Sequence, residues 1–288
     1  MAADGEAASG REFAPAKINL SLHVTGRRAD GYHLLDSLVV FAGVGDWLTL
    51  EPGAGLTISG PFAAGLNSDS DNLVQRAIAI MGGGAAAHLE KNLPVAAGIG
   101  GGTSDAAAVL RAMARLTGRA IPAPAALAPL GADLPVCLRA RPCRMQGTGE
   151  RLTDLPALPP AWLVLANPRI AVPTGSVFSA MESRDNSPMV EIPRFADAAD
   201  LAAFLRTCRN DMQHAATTIC PAIALVLAAL SDTRDCLLVR MSGSGATCFG
   251  LYASRADAEA AAAALAGRGW WVAAAPMLAG LSQPAGLL

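Results

Sequence analysis

Leu93-Pro94-Val95-Ala96-Ala97-Gly98-Ile99-Gly100-Gly101-Gly102-Thr103-Ser104-Asp105-Ala106-Ala107-Ala108 is the stretch on which the reading of this chain turns. Four glycines fall in five positions. Each weakens a helix or strand, so the run marks backbone that turns sharply or lies close to something. Thr103-Ser104-Asp105 is helix N-terminus chemistry. Val109, Leu110 and Met113 then recur at helical spacing in an alanine-rich run that reaches about Thr117. A loop that empties into a helix start aims free N–H groups and the positive end of the helix dipole at whatever fills it. That makes an anion site, and phosphate is the usual anion. A glycine turn with no ligand is the plain alternative. A Walker loop is excluded, because no Lys-Ser/Thr pair follows the last glycine. A dinucleotide fingerprint is excluded too: position 103 is Thr where a third glycine is needed, and residues 119–124 hold no acid. The hydroxyls of Thr103 and Ser104 could instead bind phosphate oxygens or Mg2+.

Composition sets the outer limits. The 288 residues suffice for one large domain or two modest ones. With 52% hydrophobic and 16% charged residues, a substantial core is available and disorder is not expected. A net charge of −2 with no basic stripe argues against nucleic acid as a partner. Cys137, Cys143, Cys208, Cys220, Cys236 and Cys248 form no CxxC pair and have no histidine cluster beside them. They are expected to be reduced core residues in a cytoplasmic protein. No apolar run is long enough for a membrane-spanning helix. Residues 1–10 are small and acidic, unlike a secretory signal, and read as a disordered lead-in.

From residue 17 to 24 the chain alternates, with Ile18, Leu20, Leu22 and Val24 on one face and Lys17, Asn19, Ser21 and His23 on the other. This predicts one half-buried strand, whose polar face either lines a site or is simply solvated. Asp30-Gly31 is a turn, and Tyr32-His33 at its exit offers a ring to stack on and a hydrogen-bonding edge, or is a surface aromatic without a role. Strands are expected at 34–44 and 47–50, and a helix from the Asp71-Asn72 cap to about Met81, ended by Gly82-Gly83-Gly84. A short strand is expected at 88–92, and a short helix among Pro122, Pro124 and Pro129. Asp133 stands in an apolar segment after Gly131, as a catalytic base near a cation or as a helix cap. The proline-rich residues 156–160 are the best linker, so a division is expected near residue 160. The second half reads as a strand at 162–166, a helix at 176–183 carrying Phe178, a polar and mobile stretch at 183–193, and helices from Asn210-Asp211 and at 221–230. Strands at 237–241 and 246–252 around Ser242-Gly243-Ser244-Gly245, a helix at 254–267 and a strand at 270–273 complete it.

Four separated segments combine into a resemblance. They are Pro15-Ala16-Lys17-Ile18-Asn19-Leu20 with Gly26-Arg27-Arg28-Ala29-Asp30-Gly31-Tyr32-His33, then residues 94–107, then Gly131-Ala132-Asp133-Leu134-Pro135, then Ser242-Gly243-Ser244-Gly245-Ala246. Together they resemble the superfamily of galactokinase, homoserine kinase, mevalonate kinase and phosphomevalonate kinase, the GHMP kinases, over residues 13–276. The glycine loop is the superfamily signal. The first segment most resembles the branch whose acceptor is a tertiary alcohol carrying a diphosphocytidyl group, in the non-mevalonate route to isoprenoid precursors.

The resemblance implies an α+β fold of two domains, at 11–160 and 161–288, with nucleotide in the cleft between them. It implies a left-handed βαβ crossover in the first domain, against the usual rule, and an α/β-sandwich-like second domain. It implies an ATP-dependent kinase that uses Mg2+, with Thr103 or Ser104 as the candidate metal ligand, and a small-molecule partner with neither nucleic acid nor membrane. Position by position, Lys17 and Asp133 match the catalytic pair. Asp133 would accept the alcohol's proton, and Lys17 would steady the oxygen and the moving phosphoryl. Pro94 through Ser104, as quoted above, match the ATP loop. Asn19, Tyr32, His33, Thr174 and Phe178 match acceptor positions, with Tyr32 and Phe178 sandwiching the cytosine and His33 reading its edge. Ser242, Gly243, Ser244 and Gly245 match a loop that supports the phosphate loop. Ile99 and Thr103 replace the commoner Leu and Ser, and Gly175-Ser176 departs from the usual apolar spacing before Phe178. A binding module that merely kept the fold would need neither Lys17 nor Asp133, and an RNA-binding relative is disfavoured by the charge balance.

Overall fold

The computed structural model describes residues 11–281. The lead-in expected at residues 1–10, and positions 282–288 of the expected second domain, lie outside the described residues.

The chain opens as β1 (Arg11–Asn19), β2 (His23–Arg27) and β3 (His33–Pro52), paired antiparallel. β3 runs unbroken through both stretches that the sequence suggests as separate strands. Its ladder with β1 shifts register opposite Pro15, which has no N–H to give. The alternation at 17–24 is therefore not one strand. β1 stops at Asn19, and the N–H groups of Leu20 and Leu22 turn to the carbonyls of Leu38 and Arg209 before β2 begins. Nor is the polar face solvated: Lys17, Asn19, Ser21 and His23 are all buried. Lys17 and Asn19 find Asp133 and Ser37 within the first half, and the second half brings Met189 to Ser21 and Ser187 to His23, partners that buried polar groups require.

β4 (Gly55–Ser59), α1 (Leu73–Ile80) and β5 (Ala85–Glu90) follow, and β4 pairs with β5 in parallel through the α1 crossover. Asn72 caps α1, its side chain accepting from Val74 N at 2.9 Å. β5 starts at Ala85, earlier than the strand expected at 88–92. α2 (Gly101–Thr117) begins two residues before Thr103, because its cap is Gly100, at φ +63, and Gly101 and Gly102 already lie in the first turn. Every α2 residue from Ser104 to Ala114 is buried, against β1, β3, α1 and α4 (Leu134–Arg139). Alanine makes this possible, since a helix enclosed on all sides must be thin where its neighbours cross it. α3 (Pro124–Leu127) precedes α4, and the hairpin of β6 (Cys143–Gly147) and β7 (Arg151–Asp154) extends the sheet beyond β3. The sequence pattern gives no strand there, because Arg, Gln and Thr interrupt the apolar signal.

The second half holds β8 (Trp162–Asn167), α5 (Thr174–Ala180), α6 (Ala198–Thr207), α7 (Gln213–Ile219), α8 (Ala222–Ser231), β9 (Leu238–Met241), β10 (Cys248–Tyr252), α9 (Arg255–Ala264) and β11 (Trp271–Leu278). α5 starts and ends earlier than the helix expected at 176–183. α6 has no counterpart among the expected elements, although Asp197 caps it by accepting from Asp200 N and its Leu201 and Leu205 face the core. The stretch expected to be polar and mobile at 183–193 is irregular but pinned. Asn186 N donates to Val24 O, Met189 N donates to Asp36 Oδ2, and Met189 is buried. Its backbone groups find partners across the molecule instead of in a helix or ladder. β11 joins the two sheets: Trp271 to Pro276 pair with β8, then Met277 and Leu278 pair with Ala42 and Phe41 on β3.

Candidate active site

The glycine loop lies between the two halves, and glycine is required where their backbones meet. Gly98 has φ +73, and a Cβ there would stand 2.4 Å from Ser242 O and 2.7 Å from Gly245 N. Ser242 Oγ donates to Gly98 O at 3.1 Å and accepts from Asn19 N at 3.1 Å, while Thr247 N donates to Ala97 O. Two small-residue turns thus interlock, and Ser242-Gly243-Ser244-Gly245 backs the loop. The cleft in front has a volume of about 690 Å³ and is walled by Pro94 to Gly98, Gly100 to Thr103, Lys17, Asn19, Asp133, Thr174, Phe178, Gly243 and Ser244. Ile99 is turned into the core. Ser104 is buried as well, its hydroxyl donating to Pro15 O at 2.8 Å. Of the two candidate hydroxyls for Mg2+, only that of Thr103 belongs to the cleft wall. Among the described residues no side chain caps α2, whose glycine start leaves its first N–H groups without side-chain partners.

Lys17, at the buried end of β1, and Asp133, just before α4, meet at this cleft with Nζ to Oδ2 at 2.8 Å. Lys17 is almost wholly enclosed, whereas the Asp133 side chain is about one-third exposed. Asp133 occupies the cap position of α4 in backbone terms, but its side chain makes no cap hydrogen bond. It turns to the lysine and the cleft instead.

Beneath the loop is a cluster that no motif in the sequence announces. Lys91 Nζ donates to Asp105 Oδ2 at 2.6 Å and to Asp46 Oδ2 at 2.5 Å, and all three residues are buried. Asp46 Oδ1 accepts from the N–H groups of Asn92 and Leu93, which lead into the loop. Burial pushes the Asp105 carboxyl up to about 8, against the pull of Lys91. A lysine three residues before the loop proline is the one available signal, but nothing local joins it to Asp46.

At the other end of the cleft the His33 ring stacks on Phe178, centroids 4.0 Å apart and planes 3° from parallel. Burial, then Arg27 and Arg184, lower the His33 pKa. Tyr32 is not brought to Phe178. It is exposed and lines a neighbouring groove of about 1060 Å³ between α2 and α4. Tyr32 and Phe178, expected to hold the cytosine between them, thus line different cavities, and the ring that stacks on Phe178 is His33. Thr174 Oγ1 and Ser244 Oγ share a hydrogen bond of 2.7 Å. Asn19 Nδ2 donates to Ser37 Oγ at 2.8 Å. Among the described residues three buried side-chain polar atoms lack a partner: Asn19 Oδ1, His33 Nε2 and Asp105 Oδ1. All three belong to residues at or beside the cleft, where a ligand can supply what the chain does not.

Comparison with known proteins gives the family. The family model described as GHMP kinases N terminal domain matches residues 72–143, and GHMP kinases C terminal matches residues 191–269. The chain is 58% identical over 273 residues to a Cereibacter sphaeroides protein named 4-diphosphocytidyl-2-C-methyl-D-erythritol kinase, covering 92% of this chain and 98% of the relative. A Dinoroseobacter shibae protein of the same name is 55% identical over 267 residues, covering 91% and 92%. A crystal structure of 4-(cytidine 5'-diphospho)-2C-methyl-D-erythritol kinase matches with a TM-score of 0.72 at 34% identity, over 93% of this chain and 99% of that one. The L. major mevalonate kinase shares the fold at 13% identity and a TM-score of 0.63, over 96% of each chain.

Proposed function

The chain belongs to the GHMP kinase family, among the 4-diphosphocytidyl-2-C-methyl-D-erythritol kinases, and we propose from that premise which of its residues carry the reaction. The reaction is ATP-dependent phosphorylation of the 2-hydroxyl of 4-diphosphocytidyl-2-C-methyl-D-erythritol, in the non-mevalonate route to isoprenoid precursors. A tertiary hydroxyl is a poor nucleophile until its proton has a destination. Asp133 is the group we assign to accept that proton as the O–P bond forms, and Lys17 the group that steadies the developing negative charge. The observation that carries this assignment is their 2.8 Å contact at the mouth of the glycine loop.

The uncapped first N–H groups of α2 and the loop amides from Val95 to Gly102 are suited to hold the ATP phosphates in line with that oxygen. The residues present fit a magnesium ion held mainly by phosphate oxygens and water, with the Thr103 hydroxyl as the protein ligand. Such an ion would neutralise phosphate charge. His33 and Phe178 are assigned to the cytosine, Thr174 to the acceptor side, and Ser242 to Gly245 to the support of the loop. The six free cysteines, five of them buried, favour work in a reducing cytoplasm. Among the described residues no helix is long and apolar enough to cross a membrane, and a small-molecule acceptor is the partner this reading requires.

A coupled ADP-release assay over a panel of alcohols tests the reading. ADP release should depend on the diphosphocytidyl-methylerythritol acceptor. Release with homoserine or mevalonate but not with that compound would overturn it.

A further inference from the structure

Asn19 and Ser37 sit on neighbouring strands, and the hydrogen bonds around them leave a single arrangement of protons. Ser37 Oγ donates to Ser21 O at 2.5 Å. A hydroxyl has one proton, so after that donation Ser37 Oγ can only accept. What it accepts at 2.8 Å must be an N–H of Asn19, and the Asn19 carbonyl oxygen must therefore point away from Ser37. The two ends of an amide can be told apart only by such a network, and here it allows one orientation. The backbone at this position is held as well, because Asn19 N donates to Ser242 Oγ, which itself donates to Gly98 O.

The outcome is a buried acceptor with no partner, Asn19 Oδ1, on a residue of the cleft wall. An unpaired amide oxygen is costly to bury, and one in a cleft wall can be satisfied by a ligand that donates. Asn19 is two residues from Lys17 on the same strand, so their side chains leave the same face about 7 Å apart. That spacing suits a second hydroxyl on a polyol whose reacting hydroxyl lies at Lys17 and Asp133.

We propose that Ser37 is a positioning residue of the acceptor site: it turns the Asn19 amide so that Oδ1 accepts a hydrogen bond from a non-reacting hydroxyl of the acceptor. The inference rests on the kinase reading above and deepens it. A site with a fixed acceptor selects a substrate that donates there, and an analogue lacking that hydroxyl leaves the oxygen unpaired.

The test uses steady-state kinetics of the full-length chain with the natural acceptor and with deoxy analogues, each lacking one non-reacting hydroxyl. For the unmodified protein, one analogue should lose about tenfold or more in kcat/KM. Ser37→Ala should lower kcat/KM for the natural acceptor by about tenfold while the KM for ATP changes less than about twofold. With the analogue that lacks the hydroxyl read by Asn19, Ser37→Ala and the unmodified protein should be equal. A Ser37→Ala penalty of the same size for every acceptor, or no penalty, overturns the proposal. If that variant does not fold, the analogue series decides alone, and equal rates across it overturn the proposal. Absence of ADP release with the natural acceptor and unmodified protein would instead sink the kinase reading, so the two failures are distinguishable.

Discussion

Lys17 Nζ lies 2.8 Å from Asp133 Oδ2, although 116 residues separate them along the chain. One comes from the buried end of a strand and the other from the turn before a short helix. Asp133→Asn keeps the shape of the side chain but removes the proton acceptor. Turnover should fall by about 10²–10⁴-fold, while ADP binding measured by titration calorimetry stays near normal. A variant with a near-normal rate would remove Asp133 from the mechanism.

Gly98 and Gly83 share a left-handed backbone, at φ +73 and +71. They differ in surroundings: a methyl group at Gly98 would meet the main chain of Ser242 and Gly245, whereas one at Gly83 would meet nothing within 4 Å among the described residues. Gly83→Ala should cost about 1–2 kcal/mol from backbone strain alone. Gly98→Ala should cost more than that and raise the KM for ATP, because the loop must move away from Ser242. Thermal denaturation of both variants, with ATP saturation curves, checks the comparison.

Lys91 is, among the described residues, the one cation paired with Asp46 and Asp105 in their buried cluster. Lys91→Met would leave the two buried acids without their cation, and should destabilise the fold by about 3–5 kcal/mol. Asp105→Asn retains the Lys91–Asp46 pair and should cost much less. Urea unfolding of the two variants gives the ranking, and equal losses would contradict it.

Phe178 already carries the His33 ring in a stack, whereas Tyr32 stands exposed on another groove. If cytosine is held at the stacked pair, Phe178→Ala should raise the acceptor KM by about 5–100-fold, the worth of one base–aromatic stack. Tyr32→Ala should have the smaller effect, and neither should change the KM for ATP. A larger effect at Tyr32 would mean that acceptor binding moves Tyr32 out of its groove.

His23 is held neutral by two opposite demands. Its Nδ1 lies 3.2 Å from Ser187 O, which needs a proton on that nitrogen, and its Nε2 accepts from Arg209 N, which needs a lone pair. Burial is the main cause that lowers its pKa below the usual 6.5. Between 6.5 and the lower folded value, the unfolded chain binds more protons, so stability rises with pH in that window. The contribution is fully present above about 6.5 and is lost as pH falls through the folded value. His23→Gln should therefore show a shallower acid decline in melting temperature than the unmodified protein, although His33, lowered in the same direction, keeps its share. Parallel acid profiles for the two proteins would refute this.

The amino-acid sequence by itself determined the features that arise over a few neighbouring residues. The glycine run with a helix behind it, the Asn72 cap, the hairpin around Ser242 to Gly245 and the separate motifs holding Lys17 and Asp133 are all of this kind, since turn chemistry and periodicity act at short range. Tertiary structure alone decided which polar groups are buried and what they meet. The alternation at 17–24 looks the same whether its polar face meets water or protein. Only folding brings Ser242, 223 residues away, onto Asn19, Lys91 between two acids, and His33 onto Phe178. Those contacts depend on where the second half comes to rest against the first, and no local pattern encodes that placement.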